Sequence, residues 1–157
     1  MITPFVLQDK EQILHILRNT GVFNKDEITV ATELLDRFLT EKDGGGYRIF
    51  CYRLEANVVA GYICFGPTPM TQFCFDFYWI AVDPSMSRRH IGSELMAFME
   101  SEIARKGGQK IFIDTSSTAP YEAARVLYAK KGYTVVAQFD DFYRPGDHKI
   151  VYMKNIA

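Results

Sequence analysis

The sequence predicts a single α/β domain spanning residues 1–157, and three observations carry that reading. Its 157 residues suit one hydrophobic core. A content of 48% hydrophobic and 24% charged residues is that of an ordinary globular chain, which excludes disorder and collagen-like structure. From Phe73 onward strand-type runs alternate with helix-type stripes, and the order strand, helix, strand, helix implies parallel pairing through right-handed crossovers.

Along the chain, Ile13, Leu14, Ile16 and Leu17 form a helical stripe opened by Asp9 and closed near Gly21. A second helix takes Asp26 and Glu27 into its first turn, repeats Ile28, Ala31, Leu34, Leu35, Phe38 and Leu39 at helical spacing, and breaks at Asp43-Gly44-Gly45-Gly46. That glycine run lacks the lysine and hydroxyl of a phosphate loop and reads as a flexible turn. Tyr47 to Leu54 and Val58 to Phe65, rich in β-branched and aromatic residues, form a hairpin across Glu55-Ala56-Asn57. Phe73 to Val82 is apolar on both faces and belongs mid-sheet.

A helix follows with Ile91, Leu95, Phe98, Met99 and Ile103 on one side, and Arg105-Lys106-Gly107 is its expected stop. Lys110 to Asp114 is a buried-type strand and Pro120 to Lys131 a helix closed by Gly132. Tyr133 to Phe139 and Lys149 to Met153 are strands joined by Asp140 to His148, with Pro145-Gly146-Asp147 as turn signal.

Eighteen basic against nineteen acidic residues supply no broad positive field, so a nucleic-acid or anionic-membrane partner is not expected. Cys51, Cys64 and Cys74 include no C-x-x-C pair, which predicts neither a disulfide framework nor a metal site and places the chain in a reducing cytoplasm. The first residues lack a basic segment followed by an apolar one, and the run Val58 to Gly66 is far short of the ~20 residues that span a bilayer.

The most informative stretch is Ser87-Arg88-Arg89-His90-Ile91-Gly92-Ser93, which opens a helix directly after a strand. A helix start offers unpaired N–H groups and the positive end of the dipole, so with two arginines beside it the segment suits a pyrophosphate. The residues alone fit equally a solvated basic turn capped by Ser87. A second block, Ala124-Arg125-Val126-Leu127-Tyr128-Ala129-Lys130-Lys131-Gly132-Tyr133, puts Tyr121, Ala124, Arg125 and Tyr128 on one helical face. On residue type alone Tyr128 is also compatible with a core tyrosine.

With these two blocks, and with Asp141-Phe142-Tyr143-Arg144-Pro145-Gly146-Asp147 and Tyr78-Trp79-Ile80, the chain resembles the GNAT superfamily of N-acetyltransferases over nearly its whole length. Laid on the family's loop, Gln/Arg-x-x-Gly-x-Gly/Ala, Ser87 replaces the Gln/Arg, His90 replaces the first glycine and Gly92 matches. Tyr121 stands where the family often has asparagine.

The resemblance implies a mixed, twisted six- to seven-stranded sheet with helices on both faces, and transfer of an acetyl group from acetyl-CoA to a primary amine of a small molecule or peptide. It implies a bulge that frees backbone N–H groups at Ile80, Ala81 and Val82 for the thioester oxygen and the pantetheine arm, an oxyanion-type role. Arg88, Arg89, His90, Ile91, Gly92 and Ser93 would hold the pyrophosphate, with Tyr121 and Tyr128 also on the cofactor. Tyr128 would protonate the departing thiolate. Asp76 stands where some members hold a glutamate base and is either the base or a structural or substrate-orienting group. Asp140, Asp141 and Asp147 are further candidates for the acceptor pocket. The competing reading is a non-catalytic acyl-CoA binding or sensing module. Monomer and homodimer are equally compatible with the sequence.

Overall fold

A computed structural model describes residues 1–55 and 57–157. Ala56, in the middle of the expected hairpin turn, lies outside the described residues. Seven strands form one mixed sheet: β1 (Ile2–Pro4), β2 (Arg48–Glu55), β3 (Val58–Pro67), β4 (Cys74–Val82), β5 (Lys110–Ser116), β6 (Thr134–Arg144) and β7 (Asp147–Asn155). Their order is β1-β2-β3-β4-β5-β7-β6, so the doubly apolar strand is central, as expected. The helices are α1 (Lys10–Asn19), α2 (Lys25–Thr40), α3 (Ile91–Arg105) and α4 (Glu122–Lys130). The chain divides into two compact units, Met1–Gly66 with Trp79–Met99, and Pro67–Tyr78 with Glu100–Ala157.

In the first unit the stripe Ile13, Leu14, Ile16 and Leu17 of α1 is buried together with Ala31 and Leu35 of α2, against Ile49, Cys51, Tyr62 and Cys64 of the β2–β3 hairpin. Asn24 caps α2 through a reciprocal pair with Glu27, at 2.8 and 3.4 Å, a device worth about 1 kcal/mol. Asp9 does not cap α1 with its side chain. Its buried carboxylate instead accepts from the Val6 N–H at 2.9 Å and pairs with Arg53 at 2.6 Å, tying the segment after β1 to β2. The strand β1 is too short to show a period, and only its pairing with Phe50 to Tyr52 reveals it. Asp43, Gly44 and Gly45 take left-handed backbone, and a Cβ on Gly44 would stand 2.7 Å from the Phe38 ring.

In the second unit β4 pairs in parallel with β5 from Cys74↔Lys110 to Phe77↔Ile113, and β5 pairs antiparallel with β7 from Lys110↔Asn155 to Ser116↔Lys149. Helix α3 ends in a left-handed Gly107, whose N–H reaches Ala104 O at 2.9 Å while that of Gly108 reaches Ile103 O at 2.9 Å. Helix α4 ends the same way at Gly132. These are the stops that the cationic last turns and glycines announced.

Two expectations are corrected in this unit. Pro120 and Tyr121 do not belong to α4, because Ala119–Tyr121 forms a separate 3-10 turn and Tyr121, at φ −94° and ψ 1°, is the cap residue before the helix. Tyr121 is therefore the residue that precedes α4 rather than one of its first turn. The stretch Asp140 to His148 is not a loop either, since β6 runs to Arg144 and β7 starts at Asp147. The polar residues are accommodated by irregular pairing: Asp141 turns to φ 53°, donates its N–H to His148 Nδ1 at 2.9 Å and accepts the Gly146 N–H at 2.8 Å.

Candidate active site

In the first unit, β4 delivers Ile80, Ala81 and Val82 to the edge of a loop that starts α3. Asp83 fixes the exit, its N–H bonded to Ala60 O at 2.8 Å and its carboxylate accepting from the Ser85 N–H at 2.9 Å. Ala81 is buried and points into the core. Gly61 of β3 was missed by sequence reasoning, yet a Cβ there would meet Ala81 O at 2.9 Å and Ile91 Cγ2 at 3.3 Å. Only a glycine lets β3 lie this close to β4 and to the first residue of α3.

The loop itself keeps a conformation that its sequence disguises. Arg88 and His90 have φ of 70° and 59°, the left-handed region normally left to glycine. His90 is the residue laid on the family's first glycine, and it takes a left-handed backbone that a glycine adopts without steric cost. Its carbonyl accepts the first bond of α3, from Glu94 N at 2.9 Å. The amides of Ile91, Gly92 and Ser93 thus form the first turn of a 15-residue helix, where N–H groups have no intrahelical acceptor. Arg88, Arg89 and His90 are exposed, while Ile91 is buried and anchors the turn.

In the second unit, Tyr128 is 6% exposed and its ring is held on three sides. Phe77 of β4 and Tyr152 of β7 each meet it edge to face at 5.7 Å, and Tyr133 lies at 6.5 Å. Burial pushes the phenol of Tyr128 well above its ordinary value, and the neighbouring Tyr152 adds to the shift. Tyr128 is accordingly protonated at neutral pH and a weaker acid than a free phenol.

Asp76 is half-buried on the same strand, one residue before Phe77. Successive strand residues face opposite sides of the sheet, so Asp76 and the Phe77–Tyr128 contact lie on opposite faces of β4. Burial raises the Asp76 carboxyl above the usual aspartate range. The hydroxyls of Thr68 and Tyr78 pull it back, and Asp114 adds repulsion. The Tyr78 hydroxyl stands 3.4 Å from Oδ2. A raised carboxyl fits a proton acceptor better than an ordinary one does.

The other acidic candidates divide. Asp147 is buried, accepts from the Ser116 hydroxyl and lies 3.8 Å from Arg144. It braces the β6–β7 turn against the end of β5 and is engaged in the structure. Asp140 and Asp141 are exposed beside His148. Arg125 is also committed, its Nη1 donating to Ser116 O at 2.7 Å and Thr118 O at 2.9 Å, which folds the β5–α4 connection over the start of α4. Among the described residues no group of three or more His, Cys, Asp and Glu is placed to hold a metal ion, and no helix is long and apolar enough to cross a membrane.

A family model, the acetyltransferase (GNAT) domain, matches residues 45–135, which include Asp76, the 87–93 loop and Tyr128. Among solved structures, a protein from Desulfovibrio desulfuricans assigned to the GNAT acetyltransferases is 34% identical, covers 100% of this chain and 99% of its own, and superposes with a TM-score of 0.95. An aminoglycoside 6'-N-acetyltransferase complexed with coenzyme A is 18% identical with a TM-score of 0.76, over 100% of this chain and 97% of its own. The ribosomal-protein-S18-alanine N-acetyltransferase from Escherichia coli is likewise 18% identical with a TM-score of 0.77, over 100% and 94%. These last two share the fold. No curated protein matches. The chain belongs to the GNAT family and is an acetyltransferase.

Proposed function

We propose that the protein transfers the acetyl group of acetyl-CoA directly to a primary amine of a small molecule or peptide. The observation that carries this reading is Tyr128, a buried phenol seated between the rings of Phe77 and Tyr152 on the helix segment where the family resemblance puts the donor to sulfur. The pyrophosphate sits on the first amides of α3, from Ile91 to Ser93, with Arg88, Arg89 and the glycine-like turn at His90 around it. Tyr121 borders the pantetheine from its 3-10 turn. The backbone amides of Ile80 to Val82 take the thioester oxygen, whose charge grows as the amine nitrogen bonds to the acetyl carbon.

Asp76, on the face of β4 opposite the Phe77–Tyr128 contact, takes the proton that the amine must lose before it attacks only through water, and is otherwise a structural or substrate-orienting group. Attack leaves the adduct's nitrogen with one proton too many, which passes to solvent; collapse then breaks the C–S bond and leaves a neutral amide and a thiolate, which Tyr128 stabilises by hydrogen bonding. A phenol raised by burial lies above an ordinary thiol of pKa ~8.5, so full proton transfer from it is uphill and its contribution is the charge-assisted hydrogen bond. Free thiols at Cys51, Cys64 and Cys74 are consistent with a reducing cytoplasm.

Calorimetric titration with acetyl-CoA, followed by release of the CoA thiol in the presence of a panel of primary amines and N-terminal peptides, tests the reading. Binding together with amine-dependent thiol release is the expected result. Binding with no release from any amine identifies instead a module that senses acyl-CoA.

A further inference from the structure

The rings around Tyr128 are not a random cluster. Phe77 of β4 is in register with Ile113 of β5, and Ile113 is in register with Tyr152 of β7. The three side chains therefore form one row across adjacent strands, on one face of the sheet, and all are buried, at 4%, 2% and 7% exposure. Neighbouring strands lie about 4.8 Å apart, so the ends of the row stand roughly 10 Å from each other. The Tyr128 ring spans that gap, 5.7 Å from Phe77 with an interplanar angle of 89° and 5.7 Å from Tyr152 at 67°.

We propose that Tyr152 is a positioning residue for acetyl transfer: with Phe77 it forms a two-sided seat that fixes the ring, and hence the hydroxyl, of Tyr128. The inference rests on the reading of Tyr128 as the donor to sulfur. Helix α4 alone leaves the tyrosine free to rotate about its own side-chain bonds. An edge-to-face contact on each side removes that freedom, because tilting away from one ring drives Tyr128 into the other. The seat also explains why an aromatic at position 152 comes from the last strand, remote in sequence from every motif of the site. Its ring supplies the contact, so a phenylalanine performs the same task.

The test uses hydroxylamine as acceptor probe, because it is unprotonated at neutral pH and reports the thioester half of the reaction without a base. Tyr152→Leu, Tyr152→Phe and Tyr128→Phe are compared singly, and Tyr152→Leu is repeated in the Tyr128→Phe background. Misplacement of a catalytic group costs up to about 100-fold, so Tyr152→Leu should lower kcat by about 10- to 100-fold. KM for acetyl-CoA should stay unchanged, Tyr152→Phe should remain within about twofold of the parent, and Tyr152→Leu should have no further effect once the Tyr128 hydroxyl is gone.

In parallel, the Tyr128 ring resonance of protein carrying ring-labelled tyrosine should move in Tyr152→Leu and stay in place in Tyr152→Phe. Equal losses from Tyr152→Leu in both backgrounds overturn the seat and leave the Tyr128 reading intact. Normal turnover in Tyr128→Phe overturns that reading, and with it any catalytic purpose of the seat. An unmoved Tyr128 resonance in Tyr152→Leu overturns the seat whatever the turnover shows.

Discussion

The Tyr133 N–H donates to the Tyr128 carbonyl at 3.0 Å, and the two rings lie 6.5 Å apart. The bond closes the end of α4, with Gly132 between the two at φ 86° and its own N–H bonded to Ala129 O at 3.0 Å. The Gly-aromatic pair after the helix is therefore part of what holds Tyr128, because the same turn that stops the helix brings a second ring onto the first.

Gly132→Ala isolates that turn. A Cβ there meets nothing closer than Lys154 Cε at 3.7 Å, so no clash occurs and the cost is that of left-handed backbone for an alanine, about 1–2 kcal/mol. Urea unfolding should show this loss with an unchanged slope. An alanine variant as stable as the parent would mean that the helix ends equally well without the left-handed residue.

Asp76 carries a signed prediction for both stability and rate. Its carboxyl is raised in the fold, so between the ordinary aspartate value near ~3.9 and the raised one the folded chain holds a proton that the unfolded chain has lost. Stability from this group is complete below that window and is lost as pH rises through it. Asp76→Asn should thus leave Tm at neutral pH equal or higher, and the gap to the parent should close in acid. With an amine acceptor, kcat/KM should fall about 100-fold or more and lose its acidic limb. A variant that loses stability at neutral pH and keeps its pH profile would make Asp76 a structural group.

The loop before α3 gives a paired prediction. Arg89→Ala should weaken acetyl-CoA binding by about 1–3 kcal/mol, the worth of a charge-assisted hydrogen bond. His90→Gly should leave affinity unchanged and relieve left-handed strain of about 1 kcal/mol, because only the backbone shape at that position is required. Calorimetry showing the reverse, full affinity without Arg89 and lost affinity without the imidazole, would make His90 the phosphate ligand.

The order of elements was legible because apolar spacing and Gly/Pro punctuation are local signals: α1 to α3, the β2–β3 hairpin and the central place of β4 all follow from them. Position along the chain could not show that α4 starts only after Tyr121, since Ala119-Pro120-Tyr121 is compatible with either an α or a 3-10 start. Nor could it show the strand through Asp140 and Asp141, whose polar residues are carried by a left-handed aspartate and a histidine acceptor. Of the candidate site, Tyr128 and the α3 loop were readable as patterns. Gly61, Phe77 and Tyr152 were not, because their contribution arises only from register between strands.

Asp9 and Arg53 are a further pair found only in three dimensions. They meet at 2.6 Å with side chains 3% and 10% exposed, and Arg53 Nε also donates to Thr3 Oγ1 at 2.7 Å. Arg53→Met leaves a buried carboxylate without its counterion and should cost about 3 kcal/mol, with acetyl-CoA affinity unchanged in the folded fraction. Chemical denaturation measures it, and a loss below about 1 kcal/mol would place the pair among solvated surface bridges.

The most direct test of the account is the turnover of Tyr128→Phe, measured with acetyl-CoA and an accepted amine beside the affinity for acetyl-CoA and the melting temperature. The substitution keeps the ring in contact with Phe77 and Tyr152 and deletes one hydroxyl. If that hydroxyl stabilises the departing thiolate, kcat falls by about 10- to 100-fold, the equivalent of a hydrogen bond to a charged group. Affinity and Tm stay close to the parent. Near-parental kcat with a lowered Tm would contradict the claim and leave Tyr128 as a core tyrosine.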